Sequence, residues 1–368
     1  MLRKNKVIWI VPLLDCGGVE SRILQIAPSL KSRGIDLSII NLGKQGRIGL
    51  TLERKGVNIV NLNLPVRITK INTTIKLWQF LREKDFDLMH TFVAEANWHG
   101  GVVARFLSKP LIIDEVGVPV NRSFLSNILL GMVYRRAVRV LVRSQALLDW
   151  LVCNKYTNRE RIEIMPYFID SLRFKFIDRV ALSSLGRDYT TISCIGRLSP
   201  EKGQNVLLDS VPLVLRKHKN IRVQIVGDGP SNNKLQEQAR KLGLLKEVEF
   251  LGYRDDVASI LADTDIYVSP SFTEDISSSI LEAMSSGCAC IATAVGGTPS
   301  IITSPDLGIL VKSGEPGALA EAICALLDNP KRLREIGFNA SINSKKFGIE
   351  NYIEKLLEIY KLPKRRGN

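Results

Sequence analysis

Short apolar runs alternate along the chain with longer segments in which apolar residues recur every three or four positions. The runs are rich in Val, Ile and Leu and have the length of buried strands, and the longer repeat is typical of amphipathic helices. Strands that are apolar throughout and alternate with helices form parallel sheets covered on both faces. The pattern therefore predicts an α/β protein, with helices such as Ser21–Arg33, Gln204–Lys217, Lys234–Leu242, Ala318–Leu327 and Ile349–Lys361, and with strands at Val7–Val11, Leu37–Asn41, Asn58–Leu62, Leu88–Thr91, Leu111–Ile113, Val138–Val142, Ile162–Met165, Thr191–Ile195, Val223–Val226, Val248–Leu251, Ile266–Ser269, Cys290–Ala294 and Gly308–Val311.

The alternation begins again near residue 190, after an irregular polar stretch over residues 166–189. At ~150 residues per domain, a chain of 368 residues suffices for two domains that each bury a core. We expect Rossmann-like domains at residues 1–168 and 186–345, with a linker around residues 168–188 between them. The last segment, 346–368, consists of a C-terminal helix, which returns to the first domain in this interpretation, and a basic tail. Two such domains face each other across a cleft lined by the carboxyl ends of their strands.

Positive charge is concentrated in the first half of the chain. Residues 1–170 hold 25 Lys and Arg against 14 Asp and Glu, a net charge of +11, whereas the remainder holds 26 against 23, a net charge of +3. Such a field favours a phosphorylated molecule, an anionic membrane surface or nucleic acid as partner, or else it is a solubility surface without a partner. Aromatic residues make up only 7% and are not interleaved with Arg, so we expect no nucleic acid.

Neither the apolar runs nor the cysteines indicate export or membrane insertion. No run approaches the ~20 residues of a membrane-spanning helix. The run Val7–Leu14 follows basic residues, as in a signal peptide, but it leads into a helical pattern and is predicted to be a strand. Six cysteines in a chain of this length do not form a disulfide framework, and Cys288 and Cys290 lie in an apolar run as buried thiols. We therefore expect a cytoplasmic protein.

The segment after strand Thr191–Ile195 carries the first candidate chemistry. Gly196 allows a sharp turn, and Gly203 allows a close approach where the next helix begins. Arg197 offers a planar fork of donors and Lys202 a point charge, which together suit a diphosphate group. The alternative is an ordinary strand–helix loop with exposed charges.

Two carboxylates flank the start of the helix after strand Ile266–Ser269. Glu274 lies in the loop, and Glu282 follows seven intervening residues later in the first turns of the helix. Carboxylates accept hydrogen bonds from sugar and ribose hydroxyls. Between them, Ser278 and Ser279 begin the helix, where backbone N–H groups can face a phosphate. The alternative is a capped surface helix with unrelated acids.

A glycine pair, Gly17 and Gly18, follows the first strand, where the backbone can approach a phosphate or sugar. The pair stands in order with the segments GRLSPEKG, VGDGP, FLGY, EDISSSILEAMSSG, AVGGTPSII and GILVKSGEPGALA. This ordered set resembles the retaining nucleotide-sugar glycosyltransferases of family 4 (glycosyl transferases group 1), which have the two-domain GT-B fold. The resemblance extends from about residue 17 to about residue 330 and is strongest at 190–312.

The resemblance implies a role for each motif residue. Arg197 and Lys202 would bind the diphosphate of the donor and compensate its charge as it leaves. Glu282 would hold the ribose hydroxyls, and Glu274 would contact the transferred sugar. The first domain would supply Gly17 and Gly18, so the implied donor-binding set is Gly17, Gly18, Arg197, Lys202, Glu274, Ser278, Ser279 and Glu282.

Enzymes of this fold generally need no metal, because Arg and Lys stabilise the leaving diphosphate. The three histidines of the chain form no ligand cluster in the sequence, which agrees. Asp263 and Asp265 make an Asp-x-Asp pattern that binds metal in other glycosyltransferases, but here they precede a strand and lie at its amino end. We therefore expect no metal and no cofactor, with the nucleotide sugar as substrate.

Three positions depart from the family pattern. Val116 stands at the apparent position of a catalytic histidine, Ser300 stands where Glu is common, and Tyr167 stands where Asn commonly follows proline. The resemblance implies a front-face displacement, in which the leaving phosphate oxygen helps to take the acceptor proton, and this mechanism tolerates a missing enzymatic base. Val116 therefore does not by itself exclude activity.

Four further residues of the first domain are candidates for the acceptor side. His90 ends its predicted strand at the cleft edge and is expected to be catalytic, or else a structural histidine at the end of a strand. Glu115, beside the missing histidine, would contact a donor or acceptor hydroxyl. Arg139 and Arg143 are four residues apart on a predicted strand and share a face, in an acceptor-facing or structural role.

Together these features predict a cytoplasmic glycosyltransferase that acts with retention on a saccharide or lipid-linked acceptor, in cell-surface polysaccharide or glycolipid assembly. We expect it to associate peripherally with the inner face of the membrane. The alternatives are a nucleotide-sugar epimerase or hydrolase of the same fold, and a non-catalytic subunit that keeps the donor site.

Overall fold

A computed structural model of the chain describes residues 5–15, 17–117, 123–165, 167–178, 188–274 and 277–361. The chain divides into two compact units, one formed by Met1–Pro166 with Glu350–Asn368 and the other by Tyr167–Ile349. Each unit has its own parallel sheet with helices between the strands, so the predicted α/β fold with two Rossmann-like units is confirmed.

The sheet of the first unit contains, among the described residues, seven parallel strands in the spatial order β3-β2-β1-β4-β5-β6-β7. Neighbours that are not consecutive in sequence, such as β1 and β4, mark the point where the strand order reverses. The strands are β1 (Lys6–Val11), β2 (Asp36–Asn41), β3 (Asn58–Asn61), β4 (Leu88–Phe92), β5 (Leu111–Asp114), β6 (Arg139–Val142) and β7 (Ile162–Ile164).

Helices connect these strands and cover the sheet because their apolar stripes pack on its faces. Leu77, Leu81, Val103, Leu130 and Leu147, for example, are buried with strand residues in one core. The helices are α1 (Gly18–Ser32), α2 (Arg47–Arg54), α3 (Ile71–Leu81), α4 (Val93–Phe106), α5 (Phe124–Tyr134) and α6 (Gln145–Cys153).

The second unit repeats this arrangement with six described strands in the order β10-β9-β8-β11-β12-β13, again all parallel. The strands are β8 (Thr190–Ile195), β9 (Ile221–Val226), β10 (Val248–Gly252), β11 (Ile266–Ser269), β12 (Ala289–Thr293) and β13 (Ile309–Val311). The helices are α7 (Gln204–Leu215), α8 (Asn232–Lys241), α9 (Val257–Ala262), α10 (Ser278–Ser285), α11 (Thr298–Ile301), α12 (Pro316–Leu327) and α13 (Pro330–Ser344).

The last helix, α14 (Ile349–Tyr360), returns to the first unit, as the sequence analysis expects. Trp9 Nε1 on β1 donates a hydrogen bond to Tyr360 Oη over 2.8 Å, and Lys355 Nζ lies 2.6 Å from Glu163 Oε1 on β7. Of the predicted linker, Ile169 and Phe174 are buried in a core of the second unit that also contains Tyr267. Residues 179–187 of the linker lie outside the described residues.

Every predicted strand is present, and no end differs from the prediction by more than two residues. The larger difference is at α1, which begins at Gly18 rather than at Ser21, because Gly17 has extended backbone and caps the helix, so that the helix starts within the glycine pair. Among the helices of the described segments, none is both long enough and apolar enough to cross a membrane.

Candidate active site

The loops after β8 and β11 meet where the strand order of the second sheet reverses. These strands pair at Ile192 and Ser193 of β8 with Ile266 and Tyr267 of β11. In open α/β sheets, ligands bind outside the carboxyl ends of the strands at this reversal. The predicted residues Arg197, Lys202 and Glu274 follow these two strands and therefore lie at the edge where ligand binding is expected.

Close backbone packing fixes the loop after β8. Gly203 has a φ of +66°, and a Cβ at this position would lie 2.1 Å from the Pro270 carbonyl oxygen of the loop after β11. The loop after β9 packs equally closely, because a Cβ at Gly227 would lie 1.9 Å from the Gly196 carbonyl oxygen. Glycine is required at both places, so the turn that carries Arg197 and Lys202 is held by its two neighbouring loops.

An ion pair brings two of the predicted residues together. Lys202 Nζ lies 2.5 Å from Glu274 Oε2, which also accepts a hydrogen bond from Ser271 Oγ over 3.2 Å. Both members of the pair are partly buried, whereas the Arg197 side chain is exposed. The loop thus presents one guanidinium to solvent and one ammonium beside a carboxylate, groups suited to an anion and to a hydroxyl-bearing ligand.

Backbone contacts hold Glu274 in position. Phe272 N donates to the Glu201 carbonyl oxygen over 2.8 Å, which joins the loops after β11 and β8. The Ser271 carbonyl oxygen accepts from Thr293 Oγ1 over 2.6 Å and from Ser313 Oγ over 3.1 Å. Thr293 ends β12 and Ser313 follows β13, so the ends of three other strands, β8, β12 and β13, support the loop after β11.

The amino terminus of α10 lies at the same edge. Ser277 precedes the helix, its hydroxyl oxygen is 2.8 Å from Ser279 Oγ, and Tyr267 Oη on β11 donates to Ser279 Oγ over 2.6 Å. Ser278, the first residue of the helix, is exposed. The backbone N–H groups at a helix amino terminus favour anions, so this end of α10 suits the predicted phosphate.

Glu282 lies on α10 and is partly buried. Burial raises the pKa of Glu282 to about 7, against the opposing effect of Arg173. Near neutral pH the carboxyl group is therefore divided between its protonated and ionised forms. The ionised form accepts hydrogen bonds from hydroxyls, and donors supplied by a ligand favour that form.

Asp265 has a structural contact at the other end of β11. Its Oδ2 accepts a hydrogen bond from Thr191 N over 2.8 Å, which joins the amino ends of β8 and β11. The side chain is buried. Asp263 and Asp265 thus lie at the sheet edge opposite the candidate site, where the sequence analysis placed them.

In the first unit, Gly17 caps α1 and Gly18 begins it, at the carboxyl end of β1 beside the reversal between β1 and β4. A Cβ at Gly18 would meet no atom within 4 Å. Open space at this backbone fits the predicted approach to a ligand. The predicted position of this pair at a strand–helix turn is correct.

His90 does not lie at an exposed edge, so this part of its prediction is wrong. It occupies the middle of β4 and its side chain has no exposed surface. His90 Nδ1 is 2.7 Å from Tyr360 Oη of α14. Burial, together with Arg22 and Arg143, lowers the pKa of His90 to about 3 despite the nearby Asp114 carboxylate. A neutral, enclosed imidazole of this kind fits the structural alternative.

Arg143 is also fully buried, because it pairs with Asp114 rather than facing an acceptor. Asp114 ends β5 and also accepts from Arg22 Nη2 of α1 over 3.0 Å. Arg143 Nη1 donates to the Met165 carbonyl oxygen over 2.7 Å. Burial alone would raise the pKa of Asp114. The charges of Arg143 and Arg22 outweigh this effect and hold the pKa below its usual range.

The other two acceptor-side candidates also differ from expectation. Arg139 begins β6, so it lies at the amino edge of the sheet, opposite the edge that Arg143 follows. The prediction that the two arginines share a strand face is wrong because β6 ends at Val142. Glu115 is buried, accepts a hydrogen bond from Tyr134 Oη, and its Oε1 accepts from Val116 N over 3.2 Å.

Sequence reasoning did not identify the charged cluster of Arg22, Asp114 and Arg143. One signal was present in the sequence. Arg22 lies four residues before Ile26, on the stripe of α1 that faces the core with Ile26 and Leu30. An arginine on the apolar stripe of a helix indicates a buried anionic partner.

Two family models match the chain. The model of Glycosyltransferase Family 4 matches residues 16–173, and the model of Glycosyl transferases group 1 matches residues 183–342. The chain belongs to the group 1 glycosyltransferases of family 4. The resemblance inferred from the motifs is therefore confirmed, and the protein is a glycosyltransferase.

Curated relatives of the glycosyltransferase include enzymes with inositol in their names. The D-inositol 3-phosphate glycosyltransferase of Nocardia farcinica is 26% identical over 388 aligned positions, which cover 94% of this chain and 85% of that protein. The phosphatidylinositol N-acetylglucosaminyltransferase gpi3 subunit of Schizosaccharomyces pombe is 25% identical over 307 positions, which cover 78% of this chain and 65% of that protein.

Solved structures show the same fold. HepE of Anabaena, solved in complex with UDP, has a TM-score of 0.84 at 22% identity, covering 96% of this chain and 99% of that one. A glycosyltransferase of Rickettsia africae has a TM-score of 0.87 at 20% identity, covering 99% and 100%. The glycosyltransferase therefore has the GT-B fold.

Proposed function

We propose that this glycosyltransferase transfers a sugar from a nucleotide-diphosphate donor to a hydroxyl acceptor, with retention at the anomeric carbon. The observation that carries the proposal is the convergence of Lys202, Glu274, Arg197 and the amino terminus of α10 at the reversal of the second sheet. This edge offers cationic and backbone donors for a diphosphate next to a carboxylate for sugar hydroxyls.

Arg197 and Lys202 supply the charge that a metal supplies in other transferases. As the sugar leaves, negative charge develops on the diphosphate, and fixed cations stabilise this charge more than the charge of the ground state. Lys202 is already held by Glu274 over 2.5 Å, so little reorganisation is needed. We therefore propose metal-independent transfer, with Arg197 and Lys202 as the stabilising groups and Glu274 in contact with the transferred sugar.

A donor containing uridine diphosphate is our first choice, because the structural neighbour HepE was solved with UDP. The two curated relatives have inositol-containing acceptors in their names. Together with the net charge of +11 in residues 1–170, this favours a phosphorylated or lipid-linked acceptor in the assembly of a glycolipid or cell-surface polysaccharide.

We propose that the enzyme works in the cytoplasm and associates peripherally with an anionic membrane. The positive first half supports this, since each cation near an anionic surface favours binding by about 1 kcal/mol. Rising salt should release the protein from anionic vesicles, because salt screens exposed charges. Vesicle binding that does not change with salt concentration would contradict an electrostatic attachment.

The deciding experiment incubates the protein with a panel of nucleotide sugars, with and without inositol, inositol phosphate and lipid-extract acceptors. Retained stereochemistry in the product, read by nuclear magnetic resonance, would support transfer with retention. Rapid conversion of the donor without acceptor would identify an epimerase or hydrolase, and donor binding without turnover under all conditions would identify a non-catalytic subunit.

Site variants then test the assignment of the cations. Replacing both Arg197 and Lys202 with Ala should reduce kcat by more than a hundredfold, because one such oriented group often contributes ~3 kcal/mol to lowering the barrier. The exposed pair Arg216 and Lys217, which follows α7, provides a matched double-Ala control. Near-normal turnover in the Arg197 and Lys202 variant would refute their role.

A further inference from the structure

One face of α5 is apolar and exposed. Leu125, Ile128 and Met132 keep 59%, 47% and 45% of their surface exposed, and their spacing of three and four residues places them on one side of the helix. The other side packs into the core of the first unit through residues such as Leu130 and Val133. Three large apolar side chains in a row on a helix indicate an interaction surface.

Positively charged side chains lie at the carboxyl-terminal end of the apolar face of α5. Arg135 and Arg136 directly follow α5 and are exposed. Arg135 Nε donates to the Lys155 carbonyl oxygen over 3.2 Å, so the exposed Lys155 lies beside the same end of the helix. In the sequence, residues 116–148 contain five arginines and no Asp or Glu. The apolar stripe of α5 is therefore followed by exposed cations, and residues 116–148 contain no acidic side chain that would neutralise them.

We propose that this α5 face, defined by Leu125, Ile128, Met132, Arg135 and Arg136, docks the first unit onto an anionic lipid bilayer. Apolar side chains enter the boundary between headgroups and acyl chains, while the guanidinium groups remain at the level of the lipid phosphates. A second copy of this chain fits the face less well, since both copies carry a net charge of +14 and repel each other.

The proposal rests on the peripheral membrane association proposed above and names the surface responsible. The test measures sedimentation of the full-length protein with phosphatidylcholine vesicles, with and without phosphatidylglycerol. The wild type should bind only the vesicles that contain phosphatidylglycerol. Replacing Leu125, Ile128 and Met132 with Ser should weaken this binding at least tenfold, because apolar area no longer enters the bilayer. Replacing Arg135 and Arg136 with Gln should weaken it about 30-fold.

Matched controls come from the second unit. A triple Ser variant of Leu172, Leu245 and Tyr253 removes three exposed apolar side chains, and a double Gln variant of Arg216 and Lys217 removes two exposed cations that follow a helix. Both should bind vesicles as the wild type does. Unchanged circular dichroism spectra establish that all variants are folded.

Three results would overturn the proposal. If the wild type binds no vesicles, both the association and the surface are wrong, whereas transfer to a soluble acceptor remains separately measurable. If the α5 variants bind as well as their controls, another surface is responsible. If light scattering shows a wild-type dimer that the Ser variant of α5 converts to a monomer while vesicle binding persists, the face belongs to self-association.

Discussion

Replacing Asp114 with Asn should destabilise the first unit strongly. Asp114 has no exposed surface and accepts hydrogen bonds from Arg22 and Arg143, which are 4% and 0% exposed. Asn has nearly the same shape but no charge, and its NH2 group, which replaces one carboxylate oxygen, donates rather than accepts, so one guanidinium loses its acceptor. The substitution therefore leaves two buried cations without their shared anion.

The magnitude follows from the burial of the cluster. Breaking a buried ion pair by removing one partner costs about 3–5 kcal/mol, because the remaining charge stays uncompensated. In addition, Arg22 Nε and Nη1 and Arg143 Nε are buried without a hydrogen-bond partner within the described part of the chain, so these arginines have little alternative bonding. At about 2–4 °C per kcal/mol for a unit of this size, the Tm of the first unit should fall by roughly 10 °C.

The assay is thermal and urea unfolding of the full chain, with hydrogen exchange to assign each transition to a unit. Replacing Asp85 with Asn is the matched control, since its pair with Lys6 Nζ spans 2.8 Å but is exposed at both ends. Exposed pairs contribute about 0–1 kcal/mol, so the control should unfold almost as the wild type does. If Asp114→Asn lowers the free energy of unfolding no more than Asp85→Asn does, the cluster does not stabilise the first unit and the reasoning fails.

Three further predictions concern the candidate site and the response to acid. We propose that Glu282 accepts hydrogen bonds from the ribose hydroxyls of the donor. Donor affinity should then rise as the pH increases through about 7, because the carboxyl group ionises, and titration calorimetry of Glu282→Gln should show a flat profile. Gly203→Ala should destabilise the second unit by more than Gly243→Ala in urea unfolding, since both residues have positive φ but only Gly203 would bring a Cβ onto the Pro270 carbonyl oxygen. Burial lowers the pKa of His90 to about 3, so below about pH 6.5 the unfolded state binds a proton that the folded state does not. The free energy of unfolding should therefore fall by about 1.4 kcal/mol per pH unit between about pH 6.5 and about pH 3. A free energy of unfolding that stays constant over this range would contradict an enclosed neutral His90.

The fold and the candidate active site of the second unit could be predicted because the sequence patterns that indicate them are local. A buried parallel strand is a short apolar run, and a ligand loop is the segment directly after it. Arg197, Lys202 and Glu274 each lie within a few residues of a strand end, so the prediction that they share an edge required only the strand order. The ion pair between Lys202 and Glu274 is consistent with the strand order, since β8 and β11 are neighbours where this order reverses.

The polar cluster of the first unit could not be predicted in the same way. Its members come from α1, β4, β5, the end of β6 and α14, and the contact between His90 and Tyr360 joins residues 270 positions apart. A polar residue at the end of a strand faces the core or the solvent according to the exact residue at which the strand ends. The predicted strand Leu111–Ile113 in fact ends at Asp114, and β6 ends one residue before Arg143.

This cluster also changes where acceptor chemistry should be sought. His90 and Arg143 are occupied with Tyr360 and Asp114 and have no exposed surface, so neither reaches an acceptor without disrupting the core. The position of the missing family histidine, Val116, lies two residues beyond Asp114, in a strand end whose polar groups bind one another. In the first unit, the backbone at Gly18 keeps open space at the carboxyl end of β1. In the proposed mechanism, the leaving phosphate takes the acceptor proton, and the stabilisation of its charge falls on Arg197 and Lys202.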